Sequence, residues 1–138
     1  MSLFPIIEPC VVGQKESLPL CREVEWDFLN NCPAWRAGEP LFVTGAQAVL
    51  VWAWKALCTP RFKYEIYTRN YGCECEELVG QAYSDRLKSA EAARYVKECL
   101  KINPYIDEVD RIRVSFAGTK LQISCRIITI YGEVILNV

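Results

Sequence analysis

The sequence predicts an α+β domain: two main helices packed on a small, mostly antiparallel sheet, with C-terminal strands able to exchange and an extended N-terminal arm. Three observations carry this. The stretch Arg22–Phe28 alternates apolar and charged residues with period two. Two segments, 46–58 and 84–103, have helical composition or helical spacing. From Val109 onward the period returns to two. Strands grouped in blocks, with helices between the blocks, belong to α+β architecture and not to repeating βαβ units.

Residues 1–22 carry Pro5, Pro9 and Pro19, which suit an extended arm and prevent regular helix. The expectation is an arm over 1–22 that orders on a partner, followed by one domain over 23–138. In "REVEWDF", Val24, Trp26 and Phe28 share one face, and Glu23, Glu25 and Asp27 the other. "EPLFVTG" follows a loop holding Asn30, Asn31, Pro33 and Gly38, and the two runs read as a loose hairpin. In "TGAQAVLVWAWKALC", Thr44 and Gln47 match a capping box, and four alanines favour helix. Its surface is apolar nearly all round, which predicts burial on several sides. Pro60 stops it, because the residue before a proline avoids helical angles.

The second helix opens with Ser84 as cap and Asp85 at the positive end of the dipole. Leu87, Ala90, Ala93, Val96 and Leu100 recur at helical spacing, and Glu91, Arg94 and Glu98 can pair along the exposed side. Asn103-Pro104 ends it. Ile112, Val114 and Phe116 then alternate with Arg111, Arg113 and Ser115, a turn follows over 117–120, and Leu121, Ile123, Cys125 and Ile127 alternate with Gln122, Ser124 and Arg126. Over Ile127–Tyr131 both faces become apolar, and "EVILNV" supplies a last strand. An apolar strand without Lys or Pro to protect its edge is either central in its own sheet or a template for a foreign strand.

Composition narrows the function. The chain has 138 residues, 51% hydrophobic and 24% charged, with 16 basic and 17 acidic residues and net charge −1. That balance is globular, and it offers no field for nucleic acid or an anionic membrane. No apolar run is long enough for a membrane span. Histidine is absent, so Ser-His-Asp and Cys-His catalysis are excluded, together with the commonest metal ligand. Eight cysteines, at 10, 21, 32, 58, 73, 75, 99 and 125, lack a signal peptide ahead of them. We read them as reduced thiols. Cys58 and Cys99 on helices and Cys125 on a strand would pack as small apolar side chains.

The connector "TPRFKYEIYTRNYGCECEELVG", residues 59–80, holds aromatic rings, cations, glutamates and a Cys-x-Cys pair. Cys73 and Cys75 could ligate metal together, but a structural zinc would need Cys58, Cys99 or another distant thiol. Glu65 with Glu74, Glu76 or Glu77 could serve as a hydrolase's carboxylate pair, though no spacing is diagnostic. Arg61, Lys63 and Arg69 with Tyr64, Tyr67 and Tyr71 resemble a base-stacking platform whose field the glutamates spoil. The remaining reading is a packed connector: Phe62, Tyr64 and Ile66 inward, a turn at Tyr71-Gly72, then a short helix or turn closed by Gly80.

The same residues carry a resemblance. Leu57, Thr59, Arg61, Phe62, Tyr64, Ile66, Tyr67, Tyr71, Gly72, Leu78 and Gly80, with the later "NPYIDEV" over Asn103–Val109, are similar to the signature of the phage baseplate wedge family known as sheath initiators. The version is that of Gram-positive contractile phages, defective prophages and tail-like bacteriocins. One departure stands out: the family's Glu-Pro-Arg is Thr59-Pro60-Arg61 here, so the glutamate's role does not carry over.

The resemblance implies assembly without catalysis or cofactor, despite a lysozyme-like label the family has also borne. It implies six copies around the tail axis, assembled in the bacterial cytoplasm into a virion or tail-like particle. The implied partners are baseplate wedge proteins, the sheath and the tail tube, with no nucleic acid or membrane. Wedge contacts are expected at Pro60, Arg61, Phe62, Tyr64, Tyr67, Tyr71 and Gly72, with Arg61 as a charge-assisted anchor. Strand exchange with the sheath is expected at Ile127, Ile128, Ile130, Tyr131, Val134, Ile135, Leu136 and Val138.

Overall fold

The computed structural model describes residues 18–79, 83–117 and 120–138; the side chains of Glu76 and Ala117 fall outside the description. In chain order the elements are β1 (Arg22–Val24), β2 (Trp26–Asp27), β3 (Cys32–Pro33), β4 (Trp35–Arg36), β5 (Glu39–Pro40) and β6 (Phe42–Thr44). Then come α1 (Ala46–Cys58), a 3-10 helix (Cys75–Leu78), α2 (Asp85–Lys101), β7 (Ile106–Ala117), β8 (Lys120–Thr129) and β9 (Gly132–Asn137). The fold is α+β, as the sequence predicts. Most of the expected arm, Cys10, the closing Gly80 and the tip of the β7–β8 turn lie outside the described residues.

The frame is the antiparallel sheet β7-β8-β9. Period two on β8 puts Ile123, Cys125, Ile127 and Thr129 on one buried face. Val134 and Leu136 of β9 join that face. On β7 the inner positions are Ile106, Val109, Ile112 and Val114, whose first spacings are three residues, not two. Register shifts between Ile106 and Glu108 and between Asp110 and Arg113 absorb the extra residues. Arg111 takes up the second shift with φ 50. α2 lies over β7 and α1 over β9. Between the layers Val49, Val96, Leu100 and Ile127 are fully buried.

Both helices form for the expected reasons, with two corrections. Gly45, at φ 67, caps α1, and no side chain bonds its first turn, so the capping box of Thr44 and Gln47 does not form. Thr44 is instead committed to the ladder, opposite Arg22. Ser84 does cap α2, its hydroxyl accepting from Leu87 N at 3.3 Å. The buried stripe of α2, however, is Ala92, Val96, Cys99 and Leu100, while Leu87 and Ala90 are exposed. The Glu91–Arg94 and Arg94–Glu98 pairs form at 2.7 and 3.0 Å. Cys99 and Cys125 are buried as read; Cys58, at the end of α1, is exposed.

The N-terminal hairpin is real but broken. β1 pairs with β6, while β2–β3 and β4–β5 are two small hairpins inside it. Glu25, Ala34 and Leu41 join them through a ring of backbone bonds: Glu25 N to Leu41 O, Ala34 N to Glu25 O and Leu41 N to Ala34 O. Trp26 and Phe28 still share a face, both rings meeting Trp54 of α1 at 5.8 and 5.4 Å.

The outer face of the sheet carries an ion row. The Arg126 guanidinium grips both oxygens of Asp110 and stands 3.6 Å from Glu133. Its hydrogen bonds and charge hold the Asp110 carboxyl below the ordinary aspartate value of 3.8. A depressed carboxylate stabilises the fold above its unfolded pKa, and that contribution is lost as pH falls through the lower folded value. Thermal midpoints followed from about pH 5 to about pH 2 should therefore fall with acid, and fall less in Asp110→Asn.

Candidate functional site

Two surfaces stand out, a loop and a strand edge. The loop begins where α1 stops. Thr59 is extended, with φ −98 and ψ 120, because Pro60 follows it, and its hydroxyl donates to Lys55 O at 2.8 Å. Pro60 and Cys73 then form a parallel bridge. Cys73 N donates to Thr59 O at 2.9 Å, and Arg61 N donates to Cys73 O at 3.2 Å. Residues 61–72 thus make a compact surface loop whose ends touch.

Gly72 lets the two ends meet. Its φ is 105, and a Cβ there would lie 2.9 Å from Arg61 Cα, Arg61 N and Thr59 O, all backbone. Arg61 fills the neck. Its Nε donates to Arg69 O at 2.7 Å and its Nη1 to Glu74 Oε1 at 2.9 Å, with Glu98 of α2 at 4.0 Å. The carboxylate partner of Arg61 is thus Glu74, with Glu98 more distant. Within the chain, the bond to Glu74 is charge-assisted on both sides.

The loop's rings face outward. Phe62, Tyr64, Ile66 and Tyr67 are exposed, Ile66 at 84%, so the expected inward packing of Phe62, Tyr64 and Ile66 is corrected. A run of tight turns replaces the extended backbone that inward alternation requires. The tyrosines support one another: Tyr64 meets Tyr67 at 6.1 Å, Tyr67 meets Tyr71 at 4.7 Å, and Tyr71 meets Trp52 of α1 at 6.1 Å. This ladder runs from the helix to the loop surface. Burial raises the Tyr71 phenol above its usual pKa. Phe62 sits at φ 68, a strained conformation for an aromatic residue, and its ring lies 4.6 Å from the Arg61 guanidinium carbon. Pro60, Arg61, Phe62, Tyr64, Tyr67, Tyr71 and Gly72 are therefore brought into one loop. Glu74, Glu98 and Trp52 complete it, and no local pattern pointed to Glu98 or Trp52. Of the carboxylates weighed for hydrolysis, Glu74 is paired with Arg61, and Glu65 and Glu77 are exposed.

The second surface is the edge of β9. Val138 and Ile123 exchange both backbone bonds, at 2.8 and 3.1 Å. In an antiparallel ladder that alternation continues, so Leu136 and Val134 bond inward to β8. The peptide groups of Glu133, Ile135 and Asn137 point to the open side. Among the exchange residues, Ile127, Val134 and Leu136 have side chains in the core, while Ile128 and Val138 are partly buried. Ile130, Tyr131 and Ile135 are exposed, Ile135 at 68%. Tyr131 also has a task inside the chain. Its ring stacks on Tyr105 at 6.1 Å and its hydroxyl accepts from Cys21 N at 3.0 Å. Tyr105 donates its hydroxyl to Pro19 O at 2.6 Å, so the two rings hold residues 19–21 against the β8–β9 turn.

Among the described residues no group of three or more potential ligands is arranged to hold a metal ion, and no helix is long and apolar enough to cross a membrane. A loop with outward-facing rings and a strand edge that is unpaired among the described residues sit on a small α+β frame. The family signature described as "Contractile injection system sheath initiator" matches residues 22–132. The chain belongs to this family, and so is a structural component of a contractile phage-tail type of machine. It is also similar to the phage-like element PBSX protein XkdS of Bacillus subtilis (strain 168), 29% identical over 126 residues that cover 90% of this chain and 86% of that protein.

The neck predicts a stability defect. Gly72→Ala should lower stability by about 1–3 kcal/mol or more, because the new Cβ meets backbone at a left-handed φ. Urea unfolding measures it, and an unchanged midpoint would remove Gly72 from the closure of the loop.

Proposed function

We propose that this protein docks on the wedge of a contractile baseplate through the 61–72 loop and starts the sheath by accepting a strand of the first sheath subunit along β9. The observation that carries the reading is the outer side of β9, where three residues present N–H and C=O groups that have no partner among the described residues, in straight register. The sheet's other edge is a poorer template. β7 has two register shifts and a left-handed Arg111, features that turn an edge away from pairing, whereas β9 has six unshifted pairs and neither Lys nor Pro.

The energies suit a repeated contact. Each net hydrogen bond contributes about 0.5–1.5 kcal/mol, so one strand adds only a few kcal/mol before the cost of association. Six copies around the axis would hold a ring by avidity. The protein performs no catalysis in this reading. The loop contributes apolar and aromatic area, with Phe62, Tyr64, Ile66 and Tyr67 turned outward and Arg61 keeping the loop in shape.

Removing all of β9 is a blunt test, since Val134 and Leu136 belong to the core. Ile135→Pro is sharper: it deletes an outward N–H and leaves the inward bonds of β9 intact. The variant should remain folded and enter baseplates, while electron microscopy shows tubes without extended sheath; full sheaths on it would sink strand acceptance. Ile66→Asp should leave the thermal midpoint near that of the parent and reduce the protein recovered in purified baseplates. Normal recovery would remove the loop from docking.

A further inference from the structure

Beneath the loop neck lie three buried thiols. Cys73, Cys75 and Cys99 are 4%, 1% and 3% exposed. The Cys73 side chain is within hydrogen-bonding reach of both Cys75 and Cys99. The three come from different elements. Cys73 closes the bridge to Pro60, Cys75 opens the 3-10 helix, and Cys99 sits on α2, 26 residues beyond Cys73 in the chain. Their neighbours Glu74 and Glu98 flank the Arg61 guanidinium above them.

We propose that Cys73 and Cys99 form a redox site that closes to a disulfide under a low-molecular-weight disulfide, pinning the base of the 61–72 loop to α2. The surroundings divide the roles. The neighbouring Cys75 and Cys99 thiols favour the thiolate of Cys73, although the Cys75 S–H also donates to Ala92 O at 3.5 Å. The bond to Cys73, and then burial, keep Cys99 protonated, with the Arg61 charge acting the other way.

Cys73 sulfur attacks one sulfur of the oxidant, that S–S bond breaks, and one small thiol leaves with a proton. Cys99 then loses its proton to the second departing thiolate as its sulfur bonds to Cys73. Two protein thiols are oxidised and one small disulfide is reduced to two thiols. Cys75 has the same access to Cys73, but only one residue separates them, and the short ring would hold a disulfide away from its preferred geometry. Burial makes the first attack slower than reaction at the exposed Cys32.

The test uses the reduced full-length chain, glutathione disulfide as oxidant, alkylation to stop the reaction, and non-reducing peptide mapping. The expected result is loss of two thiols per chain to a Cys73–Cys99 link, retained in Cys75→Ser. In Cys99→Ser, Cys73 should stop at the glutathione adduct. A Cys73–Cys75 link, an adduct on Cys73 in the parent chain, or reaction confined to other cysteines would each overturn the proposal. The parent chain's map decides the question even if Cys99→Ser does not fold.

Discussion

β8 is the strand against which everything else registers. Its alternate residues Ile123, Cys125, Ile127 and Thr129 are buried, so a slip of one residue would turn the whole apolar set to solvent. That register decides which peptide groups of β9 bond inward and which point to the open side. It also fixes Arg126 between Asp110 and Glu133 on the outer face. The availability of the edge is thus a by-product of core packing, and it needs no special residues of its own.

The loop is organised on a different principle. It has almost no core beneath it and is closed instead at its neck, by two backbone bonds, one guanidinium and one missing Cβ. With the neck closed, turns can be strung between residues 61 and 72 without an extended run, and the apolar side chains need not find burial. This is how a segment so rich in rings keeps Phe62 and Ile66 exposed and remains shaped.

The sheet was legible in the sequence because period two persists through β8 and β9 and through the second half of β7, and α2 because Ser84, Asp85 and Asn103-Pro104 mark its ends. Local readings failed where a distant partner overrode them. Thr44 had the right spacing for a capping box, but pairing with Arg22 claimed it and left Gly45 to turn the chain. Phe62, Tyr64 and Ile66 alternated like a strand, yet closure at Gly72 bent the segment into turns. On α2 the spacing Leu87, Ala90, Ala93 was apolar, but contact with β7 selected Ala92, Val96 and Cys99. The family signature marked the loop residues themselves, while Glu98 and Cys99 reach the neck only through the fold, across a separation that no periodicity spans.

The clamp made by Tyr105 and Tyr131 has a mechanical consequence. It fastens residues 19–21 at one end of β9, while Val138 closes the ladder at the other, about 20 Å away along six residues of strand. Tension applied through residues 19–21 therefore enters the sheet at a hairpin bend, and part of any load directed along the strand is carried lengthwise by β9. A load in that direction strains the inter-strand bonds in shear, all at once, where a sideways pull would peel them one by one.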